Sequence, residues 1–296
     1  MLKINKQKNM NIINKVKTKP VHLLCLLLTA LTLGGIAFSC DPAGDQVVTN
    51  FDTLTMSDEF DVDGVPNPAV WGYDIGIGDN GWGNNELQYY TDRPENVRVE
   101  DGMLKITAIQ ESFEGSGYTS ARLITKGLFE QQYGRFEARM KLPFGKGMWP
   151  AFWLLGANID EIGWPFCGEI DIMENGGSSP ATVNAAVHGP GYSGGNPIKK
   201  KYDFPNTRVD TEFHVYGIEW APSYINYYVD DVLYFQITPA SLDEKDVDRS
   251  QWVFDNGPFF MIINLAVGGN FDGNPNEDTV FPQTMYIDYV RVYAAD

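Results

Sequence analysis

The stretch Gly134–Leu142 changes character at every residue. Phe136, Ala138, Met140 and Leu142 fall on one side, and Arg135, Glu137, Arg139 and Lys141 on the other. A period of two belongs to an extended strand with one wet and one buried face, because a helix would mix the two sets. Short runs of similar kind recur after residue 50, among them Met103–Ile109, Ile225–Val229 and Met285–Tyr293, separated by Gly, Pro, Asn and Asp. Asp230-Asp231, between two aromatic runs, reads as a hairpin turn, and only Pro239–Asp248 reads as briefly helical. Many short strands with no internal repeat or linker predict one all-β domain, a sandwich of the jelly-roll type.

One run carries chemistry. In Gly168-Glu-Ile-Asp-Ile-Met-Glu-Asn175, acids alternate with apolar residues, so Glu169 and Asp171 share one face of a strand while Ile170 and Ile172 share the other. Strict alternation sends Glu174 to the apolar face. One extra residue in the strand, a β-bulge placed at Met173, returns it to the acidic face. The glutamates then stand four ladder steps apart, roughly 13 Å along the strand at about 3.3 Å per step. Side chains leaning together would bring their carboxyl groups within roughly 5–6 Å, near the approximately 5–5.5 Å of a retaining glycosidase. A solvent-facing strand with incidental acids is the plainer reading, but clustered like charges destabilise a strand that has no use for them.

The leader is separate from this fold. Residues 1–20 carry six lysines and no acid, and Val21–Phe38 is almost wholly apolar before Ser39 and Cys40. This pattern is a secretory leader. Its end is similar to a bacterial lipobox, which would lipidate Cys40, although Ala37 stands where Leu is commoner. Plain secretion and an uncleaved anchor are the alternatives, and all three export the domain. Residues 1–40 are thus read as a lipoprotein-type signal peptide, 41–50 as a tether and 51–296 as the catalytic domain. Without the leader lysines the formal charge goes from −17 to −23. Such a surface repels nucleic acid and anionic membrane; a neutral polysaccharide is indifferent to it. Cys167, beside Gly168, reads as a small buried residue, and no disulfide framework is present.

At this point the sequence resembles glycoside hydrolase family 16, in its bacterial laminarinase (endo-β-1,3-glucanase) branch. The resemblance rests on Gly81–Thr91, Tyr133–Arg139, Gly147–Trp153, Gly163–Glu174, His188–Gly194, Phe213–Trp220, Asn264–Gly269 and Asp288–Tyr293. It implies a concanavalin A-like sandwich with a substrate cleft on its concave sheet. It also implies hydrolysis of laminarin-type glucan by double displacement, with Glu169 as nucleophile, Glu174 as acid/base and Asp171 between them. Arg122, Trp149, Trp153 and Trp164 are expected in the cleft with one of Asn84 and Asn85, and His188 on the leaving-group side. Glu59, Gly102 and Asp288 are the expected ligands of a structural calcium, and catalysis needs no cofactor. Phe271 departs from the family, where Trp is common at that position.

A β-glucan is therefore the expected partner, with the membrane reached only through the lipid anchor and the protein a monomer. The alternatives are mixed-linkage glucan or algal galactan hydrolysis by the same chemistry, transglycosylation, or a non-catalytic glucan-binding lipoprotein. The last typically lacks one or both glutamates, which are present here. Sulfated galactans would favour cations near the motif, and the one candidate, Lys199-Lys200-Lys201, reads as a solvated loop.

Overall fold

In a computed structural model, residues 50–295 are described. The leader, Cys40 and most of the tether lie outside the described residues. The predicted strand forms over Gly134–Lys141, with Phe136, Ala138 and Met140 fully buried. Its apolar side packs into a core that also takes Trp220, Tyr216, Leu104 and Ile263. Asp230 and Asp231 both adopt left-handed backbone, φ 50° and 61°, and join strands whose residues Val229 and Val232 pair directly. That is the two-residue hairpin the sequence predicts. Pro239–Lys245 is 3₁₀ rather than α, and the one α-helical turn among the described residues, Ile159–Ile162, is four residues long.

Two sheets, of ten and eight strands, face each other across this core. Pairing is antiparallel, with one parallel exception between Gln88–Tyr90 and Ser116–Ser120. The smaller sheet carries the motif strand. In order across it run Ile198–Asp203, Thr182–His188, Glu169–Glu174, Met148–Gly156, Phe259–Val267, Arg122–Ile124 and Gly72–Tyr73. All nine residues of Phe259–Val267 are buried, as befits an interior strand of the sheet. On the face away from the main core, Leu155, Cys167, Phe260 and Ile262 form a second small cluster with Ile159 packed against it. This cluster seats the segment Ala157–Cys167, which carries Trp164. Cys167 is a buried structural residue, as expected.

Candidate active site

The bulge is real. Phe152 pairs with Met173 and Trp153 with Asp171, so Ile172 has no partner on that side. On the other side two steps of the neighbouring strand, Ala186 to Asn184, match three of the motif strand, Asp171 to Glu174. The extra residue is shared between Ile172 and Met173 rather than placed at Met173 alone, and both side chains enter the core. Glu174 thereby returns to the face of Glu169 and Asp171. The partners of Glu169 and Glu174 on the next strand, Leu155 and Ala151, are four residues apart, as the sequence reading requires. Before the motif, Gly168 holds φ 80°, and a Cβ there would lie 2.9 Å from the Phe259 ring. Only glycine delivers the chain into Glu169 at this angle.

Register places the rest. One row across the sheet reads Glu174, Ala151, Asn264, Arg122; the next reads Asp171, Trp153, Ile262, Ile124. Trp149 and Trp153 flank small Ala151 and leave a trough over it. Trp149 Nε1 donates to Glu174 Oε1 at 2.9 Å, and Trp164 Nε1 donates to Glu169 Oε2 at 2.8 Å. Trp153 Nε1 donates to Asn264 Oδ1 at 2.8 Å. Arg122 lies between the rings of Trp82 and Trp153, 4.5 and 4.9 Å from their centroids, with Nε 2.8 Å from Asp74 Oδ2.

His188 pairs with Glu169 across the strands. Its Nδ1 accepts from the Gly194 N–H at 3.1 Å, so the neutral ring carries its hydrogen on Nε2. Nε2 stands 3.2 Å from Asp171 Oδ2 and 3.7 Å from Glu169 Oε1. These three residues are close enough to suggest a metal site. The nitrogen that faces the acids is a donor, however, and ligation would require the ring to turn away from Gly194.

Residues 84–291 match the model of glycosyl hydrolases family 16. The chain belongs to that family. It is 46% identical over 246 residues to a β-glucanase of Rhodothermus marinus, covering 81% of this chain and 84% of the relative. The laminarinase catalytic domain of Thermotoga maritima shares the fold at TM-score 0.76 and 50% identity, over 82% of this chain and 98% of that one. A solved laminarinase of Rhodothermus marinus gives TM-score 0.77 at 44% identity, over 84% of this chain and 100% of that one. The sandwich is the jelly roll of these family 16 laminarinases.

As in any family 16 hydrolase with such a motif, the acids must hold different numbers of protons. Burial pushes Glu169 up to about 8, reinforced by the Asp171 charge and opposed by His188, Trp164 and Arg122. Burial likewise raises Glu174 to about 8, with the charges of Asp171 and Glu169 adding and Trp149 opposing. Asp171 rises to about 7 through burial, while a hydrogen bond with Glu169 favours its ionised form. Like charges this close cannot all ionise cheaply. Glu169 has more positive and donor neighbours than Glu174, so Glu169 is the better place for the negative charge and Glu174 for the proton.

Trp149→Phe keeps an aromatic ring but removes a donor that favours ionised Glu174. The Glu174 pKa then rises further, and the alkaline limb of kcat/KM moves up by roughly one pH unit. A pH–rate profile checks this; a limb that stays in place would disconnect Trp149 from the acid. Phe271 stacks on Trp149, centroids 4.9 Å apart and planes 13° apart. The residue that departs from the family therefore buttresses the ring bonded to Glu174.

Other expectations divide. Asn84 Nδ2 reaches Glu86 Oε1 at 3.4 Å beside the Arg122 end, whereas Asn85 Nδ2 ties the loop to Asn270 Oδ1 at 3.1 Å. Lys199–Lys201 is solvated as expected, but it lies within the edge strand Ile198–Asp203 rather than in a loop. The backbone does gather the expected calcium ligands. Asp288 sits at a register break in the last strand, between the partners of Asp58 and of Leu104. Yet both oxygens of Glu59 accept from Arg291 at 2.8 Å, and Asp288 accepts from Arg139 at 2.6 Å. With the arginines holding these oxygens, the residues as arranged do not fit a calcium ion.

The sequence reading missed Glu86, Tyr90 and Asn264. Asn264 Nδ2 donates to Tyr90 Oη at 3.1 Å, and Tyr90 Oη donates to Glu86 Oε2 at 3.2 Å. Gln88 Nε2 also donates to Glu86 Oε2 at 2.7 Å, and burial raises the Glu86 pKa. This chain supports Trp153 from beneath. Two signals pointed to it: Glu86, Gln88 and Tyr90 alternate, and Asn264 is the one polar residue in an apolar nine-residue strand.

Proposed function

We propose that this family 16 protein is an endo-acting, retaining hydrolase of β-1,3-glucans. The observation that carries the reading is Glu169 and Glu174 on one face of a bulged strand, each bonded by an indole N–H. A glucosyl unit lying over Asp171 has Glu169 on one side and Glu174 on the other. Glu169 attacks the anomeric carbon as Glu174 protonates the departing oxygen, giving a glycosyl-enzyme. Glu174, now ionised, takes a proton from water, which attacks the same carbon and frees Glu169. Asp171, carrying a proton, donates a hydrogen bond to Glu169 through both steps, and the His188 Nε2–H faces the same pair. No step calls for a cofactor.

The β-1,3 preference is supported by the laminarinases to which the chain is similar. Reducing-sugar release from laminarin, curdlan, barley mixed-linkage glucan, agarose and carrageenan tests it. Release from laminarin and curdlan supports the assignment. Release only from another glycan keeps the mechanism and moves the substrate, and binding of laminarin without release would favour a glucan-binding protein.

Export and lipid attachment at Cys40 complete the reading and rest on the leader sequence. In a Gram-negative host, Cys40→Ser is expected to move the protein from the membrane to the soluble fraction. Retention of the variant in the membrane would point to an uncleaved anchor.

A further inference from the structure

The row that holds Glu174 does not end there. Beyond Glu174 it continues through Asn184 to Lys201, and the row of Asp171 continues through Ala186 to Lys199. Side chains that oppose one another in antiparallel strands lie on one face, about 4.5–5.5 Å apart at Cβ. Asn184, Lys199 and Lys201 therefore share the concave face with the catalytic acids. Neighbouring residues confirm the parity. Ile198 and Tyr202 pack on the core side, whereas Asp203 accepts from Thr182 on the cleft side at 2.8 Å. The trough thus crosses six strands, with Arg122 at one end, Ala151 in its floor, Glu174 beyond the floor and Lys201 at the far end.

Among the described residues, the side chains of Asn184 and Lys201 have no hydrogen-bond or ion-pair partner. Asn184 is only half-buried, and Lys201 is exposed. An unengaged amide and ammonium, in line with the acid, suit a ligand rich in hydroxyl groups: the amide donates and accepts, and the ammonium donates. Edge lysines also guard a sheet margin against pairing with other strands. Any of the three lysines serves that purpose, whereas only Lys199 and Lys201 face the trough.

We propose that Asn184 and Lys201 form a subsite for the neutral glucosyl unit that departs with the cleaved bond, on the side of Glu174 opposite Arg122. This rests on the hydrolase reading above. The subsite makes Asn184 and Lys201 specificity-determining residues, which grip the leaving sugar without touching the reacting atoms.

The experiment compares two substrates in Asn184→Ala, Lys201→Ala and the double variant. Laminarihexaose places sugar on both sides of the scissile bond, whereas a 4-nitrophenyl β-laminaribioside replaces the leaving sugar with a flat ring that lacks its hydroxyls. The double variant is expected to lose roughly tenfold in kcat/KM on the hexaose, mostly through KM, and several-fold less on the aryl glycoside. Lys200→Ala, on the other face of the edge strand, should leave both values at the wild-type level. Equal losses on the two substrates would make these residues merely structural or place them on the wrong side of Glu174, and the absence of loss would also overturn the subsite. A wild type idle on both substrates would instead remove the hydrolase reading, and the subsite with it.

Discussion

Glu169→Gln is expected to abolish turnover of laminarin, by about 10⁴-fold or more, which is roughly 5.5 kcal/mol of transition-state stabilisation. The amide is nearly isosteric and its oxygen can still accept from Trp164 Nε1, so shape and packing survive while the nucleophile does not. Stability should move the other way. Glu169 ionises at about 8 in the folded chain, against a reference of 4.5. A carboxyl whose folded pKa is raised binds its proton more tightly when folded. Its penalty is therefore absent below about pH 4.5, grows as pH rises and is complete above about pH 8. Gln carries no such penalty, so the variant's Tm should match wild type near pH 4 and exceed it at pH 8. A dead enzyme with this pH-dependent gain in Tm identifies a functional acid held at a cost. A dead enzyme that melts earlier at every pH would mean that Glu169 serves the fold.

Much of this was legible in the sequence, because period and parity are local properties. The alternation of Phe136, Ala138 and Met140 gave a strand and its buried face, and the parity of Glu169, Asp171 and Glu174 demanded one extra residue. Parity cannot say where that residue sits, which depends on the partners of Ile172 and Met173 in two neighbouring strands. Cross-strand facts were hidden for the same reason. The resemblance expects Trp149 and Trp164 in the cleft, and only the fold reveals that their N–H groups reach Glu174 and Glu169. Three consecutive lysines have no alternation to read, so pairing with Asn184 and Ala186 was needed to turn Lys201 and Lys199 toward the trough. The calcium expectation named residues that the backbone does bring together. It could not foresee Arg291, farther along the strand that carries Asp288, or Arg139, on the strand paired with it.

Glu174→Ala should separate the two halves of the reaction. Laminarin has a poor leaving group, and loss of the acid is expected to cut kcat by about 10²–10⁴-fold. A 2,4-dinitrophenyl β-laminaribioside departs without a proton, so Glu169 still forms the glycosyl-enzyme at a near-normal rate. Water without its base then attacks slowly, the intermediate accumulates, and KM falls together with kcat. Azide needs no deprotonation and fits the space left by the carboxyl. It should restore turnover and yield a β-glycosyl azide, since two displacements retain configuration. The alkaline limb should vanish in this variant as well. In the wild type, activity falls as protonated Glu174 is lost through its raised pKa of about 8, and alanine has no proton to lose. An α-azide would mean a single displacement and would remove Glu169 as nucleophile. Absence of rescue, with the alkaline limb intact, would assign the proton to another residue; Asp171 is then the nearest acid on the same face.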